Sequence, residues 1–252
     1  MVSRLLGIVE LFGGLSILSA RSVIALVTPR YEWRSWLEQM ERLGVRSLVV
    51  GGITTLFTGM VLALQTAYSL PELGVKFYMG SVVSKTLTRE LGPVLMALVV
   101  GGRIGSGMAA EIGTMKVTEQ IDAMRSMAAD PVKKLVVPKL AATLVMLPIL
   151  TVIGDGLGIL GGLAIATTQL NVSAGVYWNS VFQSLTLSDV FSGIGKSIFF
   201  AFAIAIIGCY NGLHARGGAD GVGRATTYTV VVVSITILIS DFFLTKLFYI
   251  LG

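Results

Sequence analysis

Residues 48–69 read LVVGGITTLFTGMVLALQTAYS. This run decides the fold, because a helix that crosses the hydrocarbon core of a bilayer needs about 20 mainly apolar residues in succession. Other apolar blocks of comparable length follow it. The 252 residues are 54% hydrophobic and 13% charged, with a mean hydropathy of +0.83, far above the apolar share of a soluble domain. Backbone amides in lipid must find partners inside their own segment, which leaves helices and closed barrels. No short alternating strand pattern recurs, so the sequence predicts an all-α integral membrane protein.

Composition also excludes several chemistries. The single Cys209 cannot form an intrachain disulfide, and the single His214 removes a multi-histidine metal site. The formal charge of +5 reads as cytoplasmic loops facing anionic headgroups, not as a nucleic-acid surface. No short apolar core followed by a small-residue cleavage site opens the chain, so the mature protein is expected to begin near Met1.

Working outward from residues 48–69, the preceding stretch 1–46 is apolar from about Leu5 to Val27 but interrupted by Glu10, Gly13-Gly14 and Arg21. Arg30, Trp33, Arg34, Trp36 and Arg42 follow. Tryptophan and arginine belong at headgroup level, which predicts an N-terminal interfacial helix on the cytoplasmic surface in preference to a sixth span. Residues 47–252 then form the transmembrane domain of five helices. The turn at Pro71, Glu72 and Gly74 ends the first span. The apolar run of the second, Leu91 to Val100, is too short alone and must recruit Ser84 to Glu90 or Gly101 to Gly107. The third covers Leu135 to Thr168 and carries Pro138 and Pro148. Ser188 is a plausible N-cap for a fourth span ending near Gly212, and the fifth runs from about Thr226 to Leu251. Basic residues cluster in alternate connections: Arg30 to Arg46, Arg103 to Lys139, then Arg216 and Arg224. These are predicted to be cytoplasmic, with the N-terminus inside and the C-terminus outside.

Between the second and third spans, Ala110, Thr114, Val117, Ile121, Met124 and Ala128 recur at helical spacing. Glu111, Lys116, Glu119, Asp122, Arg125 and Asp130 supply charge around them, and Asp130-Pro131 reads as an N-cap with proline in the first turn of the next helix. The pattern predicts an amphipathic cytoplasmic helix over about 109–130. Periodicity alone allows it to lie on the membrane, to fold against the ends of the spans, or to couple to a partner.

Ionisable residues inside a span cost about 2.5 to 3.5 kcal/mol on insertion scales and face a partner or a water-filled path. Glu90, Arg103, Asp155 and Asp241 are the candidates. Glu90 precedes Gly92-Pro93, and Lys85 and Arg89 beside it can donate to a phosphate. It either lines a lipid cavity or pairs with a base on another helix. Arg103 also reads as a boundary anchor, Asp241 as a buried hydrogen bond between helices, and Asp155 as an external helix end or a local adaptation. Flexible apolar candidates for a lipid cavity are Met60, Leu64, Tyr68, Leu70, Val75, Phe77, Tyr78, Met79 and Leu95, around Gln65. No Gly-x-x-x-x-Gly-Lys-Ser/Thr loop follows a strand, so any ATP must be used by a partner. Two other readings stay open: a membrane enzyme using Glu90 and Asp241 as acid and base, and a proton-coupled transporter using Asp155 or Asp241.

The order of Arg89-Glu90-Leu91-Gly92-Pro93, Gly102-Arg103, Ala110-Glu111-Ile112-Gly113-Thr114-Met115, Thr118-Glu119-Gln120, Asp130-Pro131, Leu147-Pro148, Arg224-Ala225-Thr226-Thr227 and Asp241-Phe242 resembles the MlaE family of MCE-associated permeases over about residues 44–252. The resemblance implies a homodimeric, non-catalytic permease of the bacterial inner membrane. It implies cytoplasmic ABC ATPase subunits that hold ATP and Mg, a small STAS-domain protein and a periplasmic ring of MCE-domain subunits. It further implies that the helix matching Glu111 to Asp130 docks into the ATPase, that the N-terminal helix is interfacial, and that Glu90 lies near a lipid cavity. The implied task is to move phospholipids between the inner membrane and periplasmic carriers, maintaining outer-membrane lipid asymmetry. Related permeases handle sterols and other hydrophobic substrates. In relatives of this kind the stretch around Gly154-Asp155-Gly156 is apolar throughout, so Asp155 departs from the pattern.

Overall fold

The computed structural model describes residues 2–27, 33–69 and 78–251, and among them every regular element is helical. The expectations placed on Arg30, on the turn at Pro71, Glu72 and Gly74, and on Leu70, Val75 and Phe77 lie outside those residues. The elements are α1 (Val2–Val27), α2 (Trp33–Leu43), a tight 3-10 turn (Val45–Ser47), α3 (Leu48–Ser69), α4 (Met79–Thr86), a π turn (Leu87–Leu91), α5 (Gly92–Val117), α6 (Gln120–Ser126), a second π turn (Val132–Val136), α7 (Val137–Thr168), α8 (Ala174–Ser184), α9 (Leu187–Leu213) and α10 (Gly218–Leu251). Five helical runs are long and apolar enough to cross a membrane: Trp36–Tyr68, Met79–Val117, Val132–Thr168, Leu187–Leu213 and Gly218–Ile250. Among the residues whose side chains are described, α1 contributes the apolar stretch Gly13–Val27.

Both π turns have the same local cause. Each ends two residues before a proline, at Leu91 before Pro93 and at Val136 before Pro138. A proline inside a helix offers no N–H, and its ring presses on the carbonyl of the fourth residue before it. Widening the preceding turn by one residue relieves that pressure without ending the helix. The second span therefore recruits polar residues on both sides of its apolar run and continues from Met79 to Val117.

Two compact units are present: residues 1–45, 101–146 and 200–236 form one, and residues 46–100, 147–199 and 237–252 form the other. In the second unit, α3 and α7 meet backbone to backbone. A Cβ on Gly59 would run into the main chain of Gly158, and one on Gly161 into the carbonyl of Leu56. Small residues permit this approach, which in lipid replaces the hydrophobic drive that water would provide. The threonine hydroxyls of α3 return to their own helix, Thr54 to the Val50 carbonyl at 2.8 Å and Thr66 to that of Leu62 at 2.7 Å, so they expose no unpaired donor to lipid. Met79, Val83, Leu87, Ile159 and Tyr177 form the core here, and the Tyr177 hydroxyl donates to the Ile159 carbonyl at 3.0 Å. In the first unit, α5, α9 and α10 converge on Gly105, which lies within van der Waals reach of Ile204, Thr229 and Val233.

Three boundaries differ from the sequence expectation. The amphipathic helix expected over 109–130 is divided: α5 runs on to Val117, the chain breaks at Glu119 with φ of 60°, and α6 ends where Ala128 adopts φ of 57°. Adjacent β-branched Val117 and Thr118 weaken the helix there, and the turn closes with the Glu119 N–H on the Lys116 carbonyl at 3.2 Å. Of the expected apolar face only Ile121 is fully buried, while Thr114 and Ala128 are exposed. The fourth span is capped not by Ser188 but by Thr186: its N–H donates to Asp189 Oδ2 at 2.9 Å, and its hydroxyl accepts from the Asp189 N–H at 3.3 Å. This reciprocal pair satisfies two helix-end groups at once. The fifth helix begins at Gly218, eight residues before the expected Thr226. Asp130 does cap the next helix, accepting from the Val132 N–H at 2.9 Å.

The α3–α7 approach makes a steric prediction. Gly59→Val should lower the midpoint of thermal denaturation in detergent by several degrees, since overpacking costs about 1–3 kcal/mol. Gly175→Ala, where nothing lies within 4 Å of an added Cβ, should leave the midpoint unchanged. Equal midpoints for the two variants would contradict the close helix contact.

Candidate functional site

The first π turn carries two adjacent charged residues, Arg89 and Glu90, and both find partners on α9. Asp189 and Lys196 stand seven residues apart, two turns along the same face of α9. Arg89 Nη1 lies 3.3 Å from Asp189 Oδ1, so one carboxylate both caps α9 and holds the π turn. Lys196 is completely buried. Its ammonium donates to Glu90 Oε2 at 2.5 Å and to Thr245 Oγ1 at 2.7 Å, and it lies 3.1 Å from Asp241 Oδ1. The Thr245 hydroxyl in turn donates to Glu90 Oε2 at 3.1 Å.

An ammonium has three N–H groups and no acceptor. Glu90 from the π turn and Thr245 on α10 each accept a hydrogen bond from it, and Asp241, one helical turn before Thr245, adds an ion-pair contact. Burying an ion costs several kcal/mol and is offset by pairing and hydrogen bonding; here two hydrogen bonds and a second carboxylate at ion-pair distance surround the ammonium. With both carboxylates ionised the trio carries one net negative charge. The Lys196 side is closed to solvent, whereas the side chains of Glu90 and Asp241 retain 37% and 22% of their exposure, so the cluster opens toward its acidic edge.

That edge borders an open cavity of about 400 Å³ lined by Leu238, Asp241, Phe242, Thr245, Lys246 and Tyr249. Apolar and polar walls thus come from one face of one helix, the spacing being three and four residues. The cavity is amphiphilic.

The sequence candidates divide accordingly. Glu90 and Asp241 come together on a residue that sequence reasoning passed over. Lys196 sits in an otherwise apolar stretch of the fourth span, and the rule that singled out Glu90 and Asp241 applies to it equally. Asp189 and Thr245 were also missed, being ordinary in sequence and defined only by what they meet. Arg89 is paired with Asp189 and keeps part of its side chain exposed. Asp155 is buried against Gly92, and its Oδ1 has no hydrogen-bond partner. Met79 is fully buried in the core and packs there, lining no cavity. Tyr78 borders a different, hydroxyl- and amide-lined hollow with Ser81, Asn179 and Gln183. On α3, Met60 and Leu64 are half-buried and Gln65 and Tyr68 exposed; Leu95 on α5 is half-buried, and Arg103 is exposed.

The coupling candidates lie in the other unit. Glu111 accepts from the buried Lys139 at 2.7 Å, and Lys139 also reaches Gln39 of α2 at 3.3 Å. Lys116 bridges the break before α6 to Asp122 at 2.8 Å, with Arg125 3.4 Å from the same carboxylate. The hydrogen bond from Lys116 holds the Asp122 carboxyl below the usual carboxylate range. Glu119 is exposed in its left-handed conformation, and Asp130 is occupied as a cap. Ile121 anchors α6 while its charged face stays open.

Comparison with known proteins bears on this arrangement. The family model described as permease MlaE matches residues 36–247. A protein of Rickettsia bellii named "Probable ABC transporter permease protein" is 42% identical over 98% of this chain and 95% of its own length. A Synechocystis protein of the same description is 44% identical over 92% of this chain and 88% of its own length. The "Intermembrane phospholipid transport system permease protein MlaE" of Haemophilus influenzae is 37% identical over 84% of this chain and 82% of its own length. The chain belongs to the MlaE permease family.

Proposed function

We propose that this permease moves phospholipid between the bacterial inner membrane and periplasmic carriers, as a homodimer driven by cytoplasmic ABC ATPase subunits and joined to a small STAS-domain protein and a periplasmic ring of MCE-domain subunits. ATP and Mg belong to the ATPase partner, and the permease supplies no catalytic group. The N-terminus, α6 and the basic connections face the cytoplasm, and the C-terminus faces the periplasm. Maintenance of outer-membrane lipid asymmetry is the expected outcome. The observation that carries the lipid reading is the amphiphilic cavity on α10, where Leu238 and Phe242 offer an apolar wall and Asp241, Thr245, Lys246 and Tyr249 a polar one. The phospholipid named for the Haemophilus relative supports it.

Coupling rests on α6. Its one buried anchor, Ile121, and its charged outer face held by Lys116 and Asp122 suit a short helix that seats in a groove of an ATPase. The strained backbone at Glu119 fits a segment whose position is set by function, since a left-handed non-glycine residue costs about 1–3 kcal/mol.

Three outcomes test this reading. Protein extracted in mild detergent should carry phospholipid, an ATPase and an MCE-domain protein, identified by mass spectrometry; transport that runs on a proton gradient without ATP would sink the proposal. Asp122→Arg should abolish ATPase co-purification while leaving the permease in the membrane, and intact association would remove α6 from the coupling role. Lys196→Met should prevent accumulation of folded protein, because stranding buried charge costs about 3–5 kcal/mol. Adding Glu90→Gln and Asp241→Asn to it should restore the fold but not transport. If the single and triple variants accumulate equally, the cluster is not the structural pivot described.

A further inference from the structure

The α10 cavity has a cation that the buried cluster does not use. Lys196 is buried and paired with Glu90, Asp241 and Thr245, so it is closed to a phosphate. Lys246 is different: it is exposed, it lines the same cavity, and no carboxylate lies within ion-pair distance of it among the described residues. A lysine in an apolar span is costly unless it reaches the headgroup level. Lys246 stands five residues before Leu251, the end of α10, which at about 1.5 Å per residue is roughly 7.5 Å from the helix terminus. Leu238 lies eight residues deeper, about 12 Å along the axis. The cavity thus has its cation and the Tyr249 hydroxyl at the outer end and its apolar wall toward the membrane interior.

We propose that Lys246, with the Tyr249 hydroxyl beside it, recognises the phosphate of a lipid headgroup, so that the lipid lies along α10 with its acyl chains against Phe242 and Leu238. The inference rests on the phospholipid reading above and deepens it. The selected class is a phosphate-bearing amphiphile, in preference to an uncharged one such as a sterol or diacylglycerol. The buried cluster, closed around Lys196, leaves Lys246 as the accessible cation of the cavity. Arginine in place of Lys246 preserves the charge and improves phosphate geometry; glutamine removes the charge while keeping a side chain of similar reach.

The test is the amount of phospholipid retained per protomer by full-length protein purified in mild detergent, for wild type, Lys246→Gln and Lys246→Arg, with gel filtration to establish that each is folded. Lys246→Gln should retain about tenfold less phospholipid, the factor that 1.4 kcal/mol of lost interaction gives, with retention of added diacylglycerol unchanged. Lys246→Arg should match wild type. If Lys246→Gln keeps as much phospholipid as wild type, Lys246 only anchors the helix end in the surrounding headgroups and the proposal falls while the phospholipid reading stands. Wild-type protein that retains no phospholipid overturns that reading and this inference with it. Should excess inorganic phosphate strip the lipid from wild type, the site reads a free anion and the headgroup assignment is wrong.

Discussion

A completely buried ammonium in an apolar helix dictates much of what surrounds it. Lys196 has three donors, and a medium without water obliges the protein to supply their partners. They come from separate elements: Glu90 from the π turn, Asp241 and Thr245 from α10. The π turn lies about a hundred residues before α9, and Asp241 and Thr245 lie far along α10, so the cluster is a tertiary constraint that fixes the register of α9 against both. Helix packing in lipid gains little from hydrophobic exclusion, which makes such polar ties and the glycine contacts of α3 and α7 the features that define the arrangement.

The π turn is what makes the constraint attainable. Pro93 disrupts the ladder behind it, the turn widens, and Arg89 and Glu90 on that turn reach Asp189 and Lys196 two turns apart on α9. Asp189 is drawn in twice, since it also closes the Thr186 cap at the start of α9. Proline, cap and ion pairs are therefore one device: the residue that damages one helix sets the position from which its charges stabilise another.

How much of this was legible follows from the kind of signal each residue carries. The spans could be read from residues such as those of 48–69, because apolar length is a local property, and Asp130-Pro131 announced a cap for the same reason. The break at Glu119 could not, since a left-handed residue is not encoded by an acidic side chain but by the closure of the turn around it. Ser188 was a reasonable cap by type, yet Thr186 wins because its partner three residues on is Asp189, which closes the reciprocal pair. In the site, Glu90 and Asp241 were visible as charges in apolar surroundings and their pairing was not. Lys196 was equally visible and is the residue that joins them. Thr245 carries no sequence signal at all, as a hydroxyl in a membrane helix ordinarily returns to its own backbone.

The cluster also limits how the membrane helices can move. Any displacement of α10 away from α9 withdraws Asp241 and Thr245 from Lys196, and a displacement of the π turn withdraws Glu90. Either leaves part of the ammonium unsatisfied, at a cost of about 1–3 kcal/mol per lost partner and more for a charged one. The three elements therefore move together, or water enters along the acidic edge as they part. The cavity on that edge already shares Asp241 and Thr245 with the cluster, so solvent that enters as the helices part comes from that side. A molecule seated there and the packing of α9 against α10 are thereby linked through the same two side chains.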